Sequence, residues 1–243
     1  MFAAQTDFTE AGELQLFISE GQLGFLEDVM AVRGTLDSRQ MAGAFQMLRT
    51  NDLVWSRLIG SYLLGRTEAE SDLMAWNADG TRMPARMHSE YLRRLFLNND
   101  LAEGHLDVAG RPVSLSDIHL PSFVVGTETD HIAPWHSVYK LHLLSPAEIT
   151  FVLTSGGHNA GIVSEPGHPH RSFRSETRKP GSPYQGPDEW RATARHQDGS
   201  WWPFWVEWLG RHSGEPTKPP TMGAAGKGYA ILGDAPGTYV LEH

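Results

Sequence analysis

The stretches PSFVVGTETDH (121–131) and ITFVLTSGGHNAG (149–161) decide the fold, because each is an apolar run that ends in polar and small residues. Short runs rich in valine, isoleucine, phenylalanine and threonine are typical of buried strands. Residues Ser137 to Leu144, between the two runs, have the pattern of a helix. A strand, a crossover helix and a second strand are the signature of parallel strands, so we predict an α/β fold in which Asp130 and His158 follow neighbouring strand ends.

Asp130 and His158 stand in the order acid, then base, and are 28 positions apart. In hydrolase-type triads of α/β proteins, a nucleophile on a sharp turn of pattern G-x-nucleophile-x-G precedes this pair. The 243 residues contain no cysteine, and no serine before Asp130 lies between two glycines at that spacing. The pattern therefore predicts a hydrolase-type acid and base without a nucleophile in this sequence.

Several longer motifs accompany this pair along the chain. They are Trp76–Pro84, His88–Arg93, Asp130–Trp135, Ser155–His158, Gly199–Pro203 and Ala235–Val240. In these motifs and in their order, the sequence resembles the polyhydroxyalkanoate synthases, of which poly-3-hydroxybutyrate synthases are members. The resemblance runs nearly from end to end of the chain.

Members of that family are α/β-hydrolase-fold acyltransferases that polymerise 3-hydroxyacyl-CoA thioesters into polyester and use a Cys-His-Asp triad. Residue by residue, the resemblance carries over only Asp130 and His158 to that triad. It implies that the chain corresponds to the C-terminal catalytic region. The expected fold is a partial α/β-hydrolase-like fold with a helical cap insertion, lacking the N-terminal strands and the nucleophile elbow. Such a sheet has an exposed edge unless another chain covers it.

We divide the chain into a strand end that enters the cap (1–9), a mainly helical cap region (10–115) and a C-terminal α/β-hydrolase part with the Asp and His loops (116–243). An imperfect helical stripe from Glu13 to Val32 is interrupted by glycines, which predicts two short helices. The resemblance implies that the cap region covers the active site and contributes to dimer contacts.

Further helices are predicted over 41–48, 53–64 and from His88 to Leu97, where apolar residues recur at helical spacing. The stretch from Pro166 to Pro187 is rich in glycine and proline, and we expect a long loop there.

The resemblance assigns a role to each catalytic candidate. His158 is expected to take the proton from a cysteine thiol, since imidazole is the usual general base near neutral pH. Asp130 is expected to orient that imidazole or to help activate the 3-hydroxyl group of the incoming monomer. His131 and Trp135 adjoin Asp130, and a place in the substrate pocket and a packing role are equally consistent with the sequence.

The composition argues against several classes of function. A net charge of −9 opposes the clustered positive charge that phosphate binding needs, so no nucleic-acid partner is expected. No apolar stretch reaches the roughly 18 residues of a transmembrane segment. The lack of cysteine and of a secretory leader favours a cytoplasmic location, and the resemblance implies peripheral contact with polyester granules.

A metal site is not expected. His158, His168 and His170 are zinc ligands by residue type, but their spacing matches no strong motif. The resemblance implies 3-hydroxyacyl-CoA as substrate and no further cofactor.

Three hypotheses follow from the sequence. In the first, the chain carries the acid and base of a polyhydroxyalkanoate synthase and is inactive by itself, and an N-terminal synthase fragment or a full-length synthase supplies the cysteine. In the second, it is a non-catalytic partner of a full-length synthase or of polymer granules. In the third and weaker one, it is a hydrolase that uses Ser155, which lies on the same loop as His158.

Overall fold

A computed structural model describes residues 1–37, 40, 43, 55, 58–66, 72–78, 82–235 and 237–238. The helix predicted over 41–48 lies almost entirely outside the described residues, as does the first half of the one predicted over 53–64. Within the described part, no helix is long and apolar enough to cross a membrane.

Strands form a small hairpin and one larger mixed sheet. They run Asp107–Val108 (β1), Arg111–Pro112 (β2), Ser122–Thr127 (β3), Ile149–Thr154 (β4), Ser172–Arg178 (β5) and Arg195–Asp198 (β6). The hairpin pairs β1 with β2, and the larger sheet has the order β3-β4-β5-β6. The predicted parallel pairing of β3 with β4 is confirmed, whereas β5 and β6 add to the sheet as antiparallel strands.

The α-helices flank this sheet and fill the first part of the chain. They run Glu20–Arg33 (α1), Asp72–Ala78 (α2), Ala85–Tyr91 (α3), Trp135–Tyr139 (α4), Leu141–Leu144 (α5), His158–Ile162 (α6), Pro187–Thr193 (α7) and Trp202–Arg211 (α8). Short 3-10 helices cover Gly12–Phe17, Leu115–Asp117 and Ala225–Lys227, and π-helical turns cover Ile59–Leu63 and Leu92–Leu97.

Both faces of the sheet are buried, which explains why β3 and β4 are apolar almost throughout. Val124 and Phe151 point to one face, where α4, α5 and α7 supply a core that includes Tyr139 and Trp190. Phe123 and Val152 point to the other face, where the buried Trp201 and one side of α8 pack. Full burial of each such side chain stabilises the fold by about 1.5–3 kcal/mol, so the sheet is a firm support for the loops that leave its strand ends.

Two details of the sequence prediction are corrected by the structure. The region Pro166 to Pro187 is not a continuous loop, because β5 crosses it and pairs along the whole length of β4. The first helical stripe does break into two helices, but the break falls at Ser19, whose hydroxyl caps α1, and α1 runs on through Gly21 and Gly24. Ser19 therefore fixes the start of α1, and this helix of 14 residues tolerates both glycines.

The first residues of the chain lie beside the outer strand β3. Phe2 pairs in parallel with Val125, and the Ala3 amide donates to the Val125 carbonyl at 2.8 Å. Ala3 then adopts a φ of +43°, an unusual conformation for a residue with a side chain. This turn directs the following residues over the carboxyl end of β3, the end from which Asp130 also emerges.

An ion-paired network joins the helices of the first part of the chain. Glu27 of α1 accepts hydrogen bonds from the Nε and the Nη2 of Arg93, at 2.7 and 2.9 Å, and from the hydroxyl of Ser89. These bonds hold the pKa of Glu27 down at about 2, the largest contribution being the hydrogen bond from Arg93. The division of the chain at residues 9 and 115 stays a prediction.

Candidate active site

Asp130 and His158 come together where β3 and β4 end. The Nδ1 of His158 lies 2.9 Å from the Oδ2 of Asp130. The carboxyl ends of adjacent parallel strands meet at one edge of a sheet, so residues that follow those strands become neighbours. The two candidates found in the sequence therefore form an acid–imidazole pair.

Two glycines bring the imidazole to this position. Gly156 has a φ of +101°, which lets the chain turn sharply at the end of β4. Gly161 allows α6, which begins at His158, to pack directly on the end of β3, since a Cβ atom there would lie 2.5 Å from the Cγ2 of Thr127. The pair thus depends on the close approach of a short helix and a strand.

The Asp130 carboxylate is fully enclosed by hydrogen-bond donors. Its Oδ1 accepts the backbone N–H groups of Ile132 and Ala133 at 2.9 and 2.8 Å, and its Oδ2 accepts the Thr127 hydroxyl at 2.7 Å in addition to His158. Burial raises the pKa of Asp130, but the hydrogen bonds from His158, Ala133 and Thr127 outweigh it and lower the pKa below its ordinary value. The carboxylate stays ionised and holds the imidazole through Nδ1, which leaves Nε2 for proton exchange.

A pocket of about 1390 Å³ opens beside the pair, and His158 is part of its wall. Most of the wall is apolar; its residues come from the first 18 positions of the chain, from α1, from α3 and from the helical turn Leu92–Leu97, while Ile132 and Ala133 contribute from the Asp130 loop. A cavity of this size and character with few polar groups suits an organic ligand with a hydrocarbon portion.

The two predicted pocket residues lie elsewhere. Trp135 is 5% exposed and packs in the core beside Tyr139 and Trp190. His131 is partly buried, and neither His131 nor Trp135 lines the pocket described above. Their role in a substrate pocket stays a prediction, and the residues of the same motif that do reach this wall are Ile132 and Ala133.

Two polar residues of the wall were missed by the sequence analysis. Gln5 donates its Nε2–H to the Ile132 carbonyl at 2.8 Å and so fixes the loop that holds Asp130. His88 of α3 is 4% exposed and lines the same pocket as His158. The only signal for His88 was its place in the motif His88–Arg93, and Gln5 stands in no motif that carries chemistry.

Neither a serine hydrolase that uses Ser155 nor a metal site gains geometric support. The hydroxyl of Ser155 accepts the amide of Ser172 at 3.1 Å, which ties it to the start of β5. Among the described residues, no three histidine, aspartate or glutamate side chains are grouped to hold a metal ion.

An ionised, buried carboxylate that holds an imidazole at the ends of parallel strands, beside an apolar pocket, is the arrangement that acid–base sites of α/β-hydrolase-like proteins use. The mixed sheet with helices on both faces is compatible with that class. No family model matches the chain.

Curated relatives make the assignment more specific. Poly(3-hydroxyalkanoate) polymerase of Methylorubrum extorquens is 42% identical over 239 residues, which cover 97% of the chain and 38% of that protein. The polymerase subunit PhaC of Rhizobium meliloti is 39% identical over 240 residues, covering 99% of the chain and 38% of the relative. PhaC of Cupriavidus necator is 36% identical over 240 residues, which cover 96% of the chain and 40% of that protein.

The chain is therefore homologous, over nearly its whole length, to the C-terminal part of the poly(3-hydroxyalkanoate) polymerases. It spans about 38% of the length of the first two of these relatives.

Proposed function

We propose that residues 1–243 supply the acid–base pair and part of the substrate pocket of an acyltransferase that makes poly(3-hydroxyalkanoate) from 3-hydroxyacyl-CoA. The observation that carries this proposal is the Asp130–His158 hydrogen bond at the wall of the apolar pocket. The thiol nucleophile comes from outside these residues, since the sequence contains no cysteine.

In this mechanism, the Nε2 of His158 takes the proton of the thiol, and the thiolate attacks the thioester carbonyl of the substrate. The CoA thiolate leaves and receives a proton from the imidazolium. Nε2 then takes the proton of a 3-hydroxyl group whose oxygen attacks the next acyl thioester, and the thiolate that this attack expels takes the proton back from the imidazolium. Each proton transfer uses the same nitrogen, because Nδ1 is held by Asp130.

The surroundings of Asp130 favour an orienting role over direct contact with substrate. Its side chain has no exposed surface, and both oxygens already accept two hydrogen bonds each. A carboxylate in this state stabilises the imidazolium that forms in the transition state. Of the two roles expected from the sequence, we therefore propose orientation of His158.

The test is CoA release from 3-hydroxybutyryl-CoA by the purified chain, alone and mixed with the N-terminal part of a related polymerase that contains the cysteine. We expect release only in the mixture. His158→Ala should lower the rate by a factor of about 10²–10⁴, the usual contribution of a general base. His168→Ala, a matched change at a partly exposed histidine ten positions along the chain, should leave the rate unchanged.

Release of CoA by the chain alone would contradict the proposed division of roles and would require another nucleophile. If the mixture releases CoA at the same rate after His158→Ala, His158 takes no part in the chemistry.

A second candidate function is a binding role without catalysis, and exposed apolar residues near the π-helical turn Ile59–Leu63 favour it. Trp55 and Tyr62 are 51% and 82% exposed, and Leu63 and Trp76 are also exposed. Large exposed apolar side chains are the groups that interaction surfaces use. Binding to a full-length polymerase, with no CoA release in any mixture, would support this alternative, with a polymer granule surface as the other partner to assay.

A further inference from the structure

His88 presents an unusual polar group in the pocket wall. Its side chain is buried, its Nδ1 has almost no accessible surface, and that nitrogen has no hydrogen-bond partner among the residues that the structure describes. Native proteins leave few buried polar atoms unpaired, and the exceptions ask for an explanation. Because His88 lines the same pocket as His158, a group that enters the pocket is the explanation to consider.

The surroundings of His88 indicate which kind of ligand group would pair with its ring. Leu92, Leu95 and Phe96 lie on the same wall, which is apolar for most of its area. Burial lowers the pKa of His88 below its ordinary value, so the ring is neutral at neutral pH. A neutral imidazole has one N–H donor and one acceptor nitrogen, and it pairs with an uncharged hydroxyl or carbonyl oxygen.

A purely structural role does not account for this residue. The neighbouring Ser89 hydroxyl and Arg93 bind Glu27 and attach this part of the chain to α1 without any contribution from His88. A histidine whose ring made no specific contact would be replaceable by an apolar residue, which would avoid the cost of burying an unpaired nitrogen.

We propose that His88 is a specificity-determining residue that hydrogen-bonds an oxygen atom of a hydroxyacyl chain bound in the pocket. The oxygen is either the hydroxyl of a 3-hydroxyacyl monomer or an ester oxygen of a short oligomer. The proposal rests on the proposed function, because it assumes that the pocket beside His158 receives the acyl part of the substrate. Its consequence is that the pocket prefers oxygen-bearing chains to plain acyl chains of the same length.

The test measures binding and needs no catalysis. Methyl 3-hydroxyoctanoate and methyl octanoate are titrated into the purified chain and followed by ligand-observed NMR. We expect the wild-type protein to bind the hydroxy ester more tightly by about tenfold, the usual worth of one buried hydrogen bond. His88→Leu should abolish this preference, and His88→Gln, which keeps a donor and an acceptor, should retain part of it.

A control variant and a second ligand sharpen the result. Met83→Leu changes the same wall without changing its polar groups and should keep the wild-type preference. The linear trimer of 3-hydroxybutyrate, as its methyl ester, distinguishes the two sources of oxygen. If an ester oxygen is bound, His88→Leu weakens binding of the trimer. If the hydroxyl is bound, the same variant weakens binding of the hydroxy monomer.

Two outcomes would overturn the proposal. One is a wild-type protein that binds neither the monomeric esters nor the trimer, or that shows no preference for the hydroxy ester and binds the trimer no more tightly than His88→Leu does. The other is a preference that persists in His88→Leu, with thermal unfolding showing that the variant is folded. A failure of the CoA-release experiment would leave the binding ratio unaffected, so the proposed function and the present inference can fail separately.

Discussion

The loop that carries Asp130 and the helices that carry His88 line one pocket, but different interactions hold them in place. Around Asp130, the contacts are buried: four donors reach one carboxylate, and α6 packs directly on β3. Around α1 and α3, the fixed contacts include ion pairs of Glu27 and Arg93, whose side chains are 33% and 35% exposed. The Asp130 side of the pocket is therefore held by buried groups that water does not reach, whereas the helical side is held partly by groups that water can solvate.

Removal of the Asp130 carboxylate should have the largest effect. Asp130→Ala leaves four donors without their acceptor and should lower the free energy of unfolding by about 3–5 kcal/mol, as breaking other buried charged pairs does. Urea denaturation measures this directly. Asp188→Ala is the control, because Asp188 pairs with His136 but its side chain is 86% exposed, and the expected loss is below about 1 kcal/mol. A similar loss of free energy of unfolding in the two variants would refute the contrast between the buried and the exposed aspartate.

Acid should lower the free energy of unfolding through His142, which packs against the sheet. This residue packs on Phe151, and burial, the largest cause, lowers its pKa from 6.5 to about 4. The unfolded chain takes up the proton near pH 6.5, but the folded protein takes it up only near pH 4. Stability from this group is therefore complete above pH 6.5 and declines as the pH falls toward 4, by roughly 3 kcal/mol.

The check is urea unfolding across this pH range for the wild-type protein and for His142→Asn, which does not titrate. The variant should lose most of the slope between pH 6.5 and 4. An unchanged slope would assign the acid sensitivity to other groups.

A glycine on each side of the pocket gives a matched test of packing. Gly161→Ala places a methyl group against Thr127 and should cost about 1–3 kcal/mol, the usual range for overpacking. Gly24→Ala lies within α1, where no described atom is within 4 Å of the new methyl, and should stabilise the helix by about 0.5–1 kcal/mol. Thermal unfolding should shift in opposite directions for the two variants; a shift in the same direction would remove the contrast between the two sides.

The smallest effect is expected at Glu27. The pKa of this group is lowered from 4.5 to about 2, first by the hydrogen bond from Arg93. Its contribution to stability is present above pH 4.5 and disappears as the pH falls through about 2, and salt screens it because the pair is partly exposed. Glu27→Gln should therefore reduce stability only slightly at neutral pH and at low salt. A loss as large as that of Asp130→Ala would show that the helical side also depends on a buried charge.

The parts of the fold that the sequence predicted are those with a strong local pattern. Val124, Val125, Phe151 and Val152 form uninterrupted apolar runs because both faces of β3 and β4 are covered. β5 was missed, since in SFRSETR (172–178) only Phe173 and Ser175 are buried and the remaining residues are polar. An antiparallel strand of this composition is stabilised by its pairing with β4 and β6 and not by its own pattern.

The candidate site likewise contains residues that the sequence predicted and residues that it did not. Asp130 and His158 could be found because each follows a strand, and strand ends converge at one edge of a sheet. Gln5 contacts Ile132 across 127 positions, and His88 reaches the pocket from a separate helix. Such contacts depend on the packing of distant segments, and a single sequence contains no periodic signal for them.

The hydrogen bonds of two tryptophans to α6 have a practical consequence. The indole N–H groups of Trp201 and Trp202 donate to the carbonyls of Gly161 and Ile162 at 3.0 and 2.9 Å, at the end of the short helix that begins with His158. Any event that moves His158 along with its helix also changes the polarity around these rings. We therefore expect the native fluorescence of the protein to report movements of His158 without a label, so that stopped-flow mixing can test candidate ligands of the pocket.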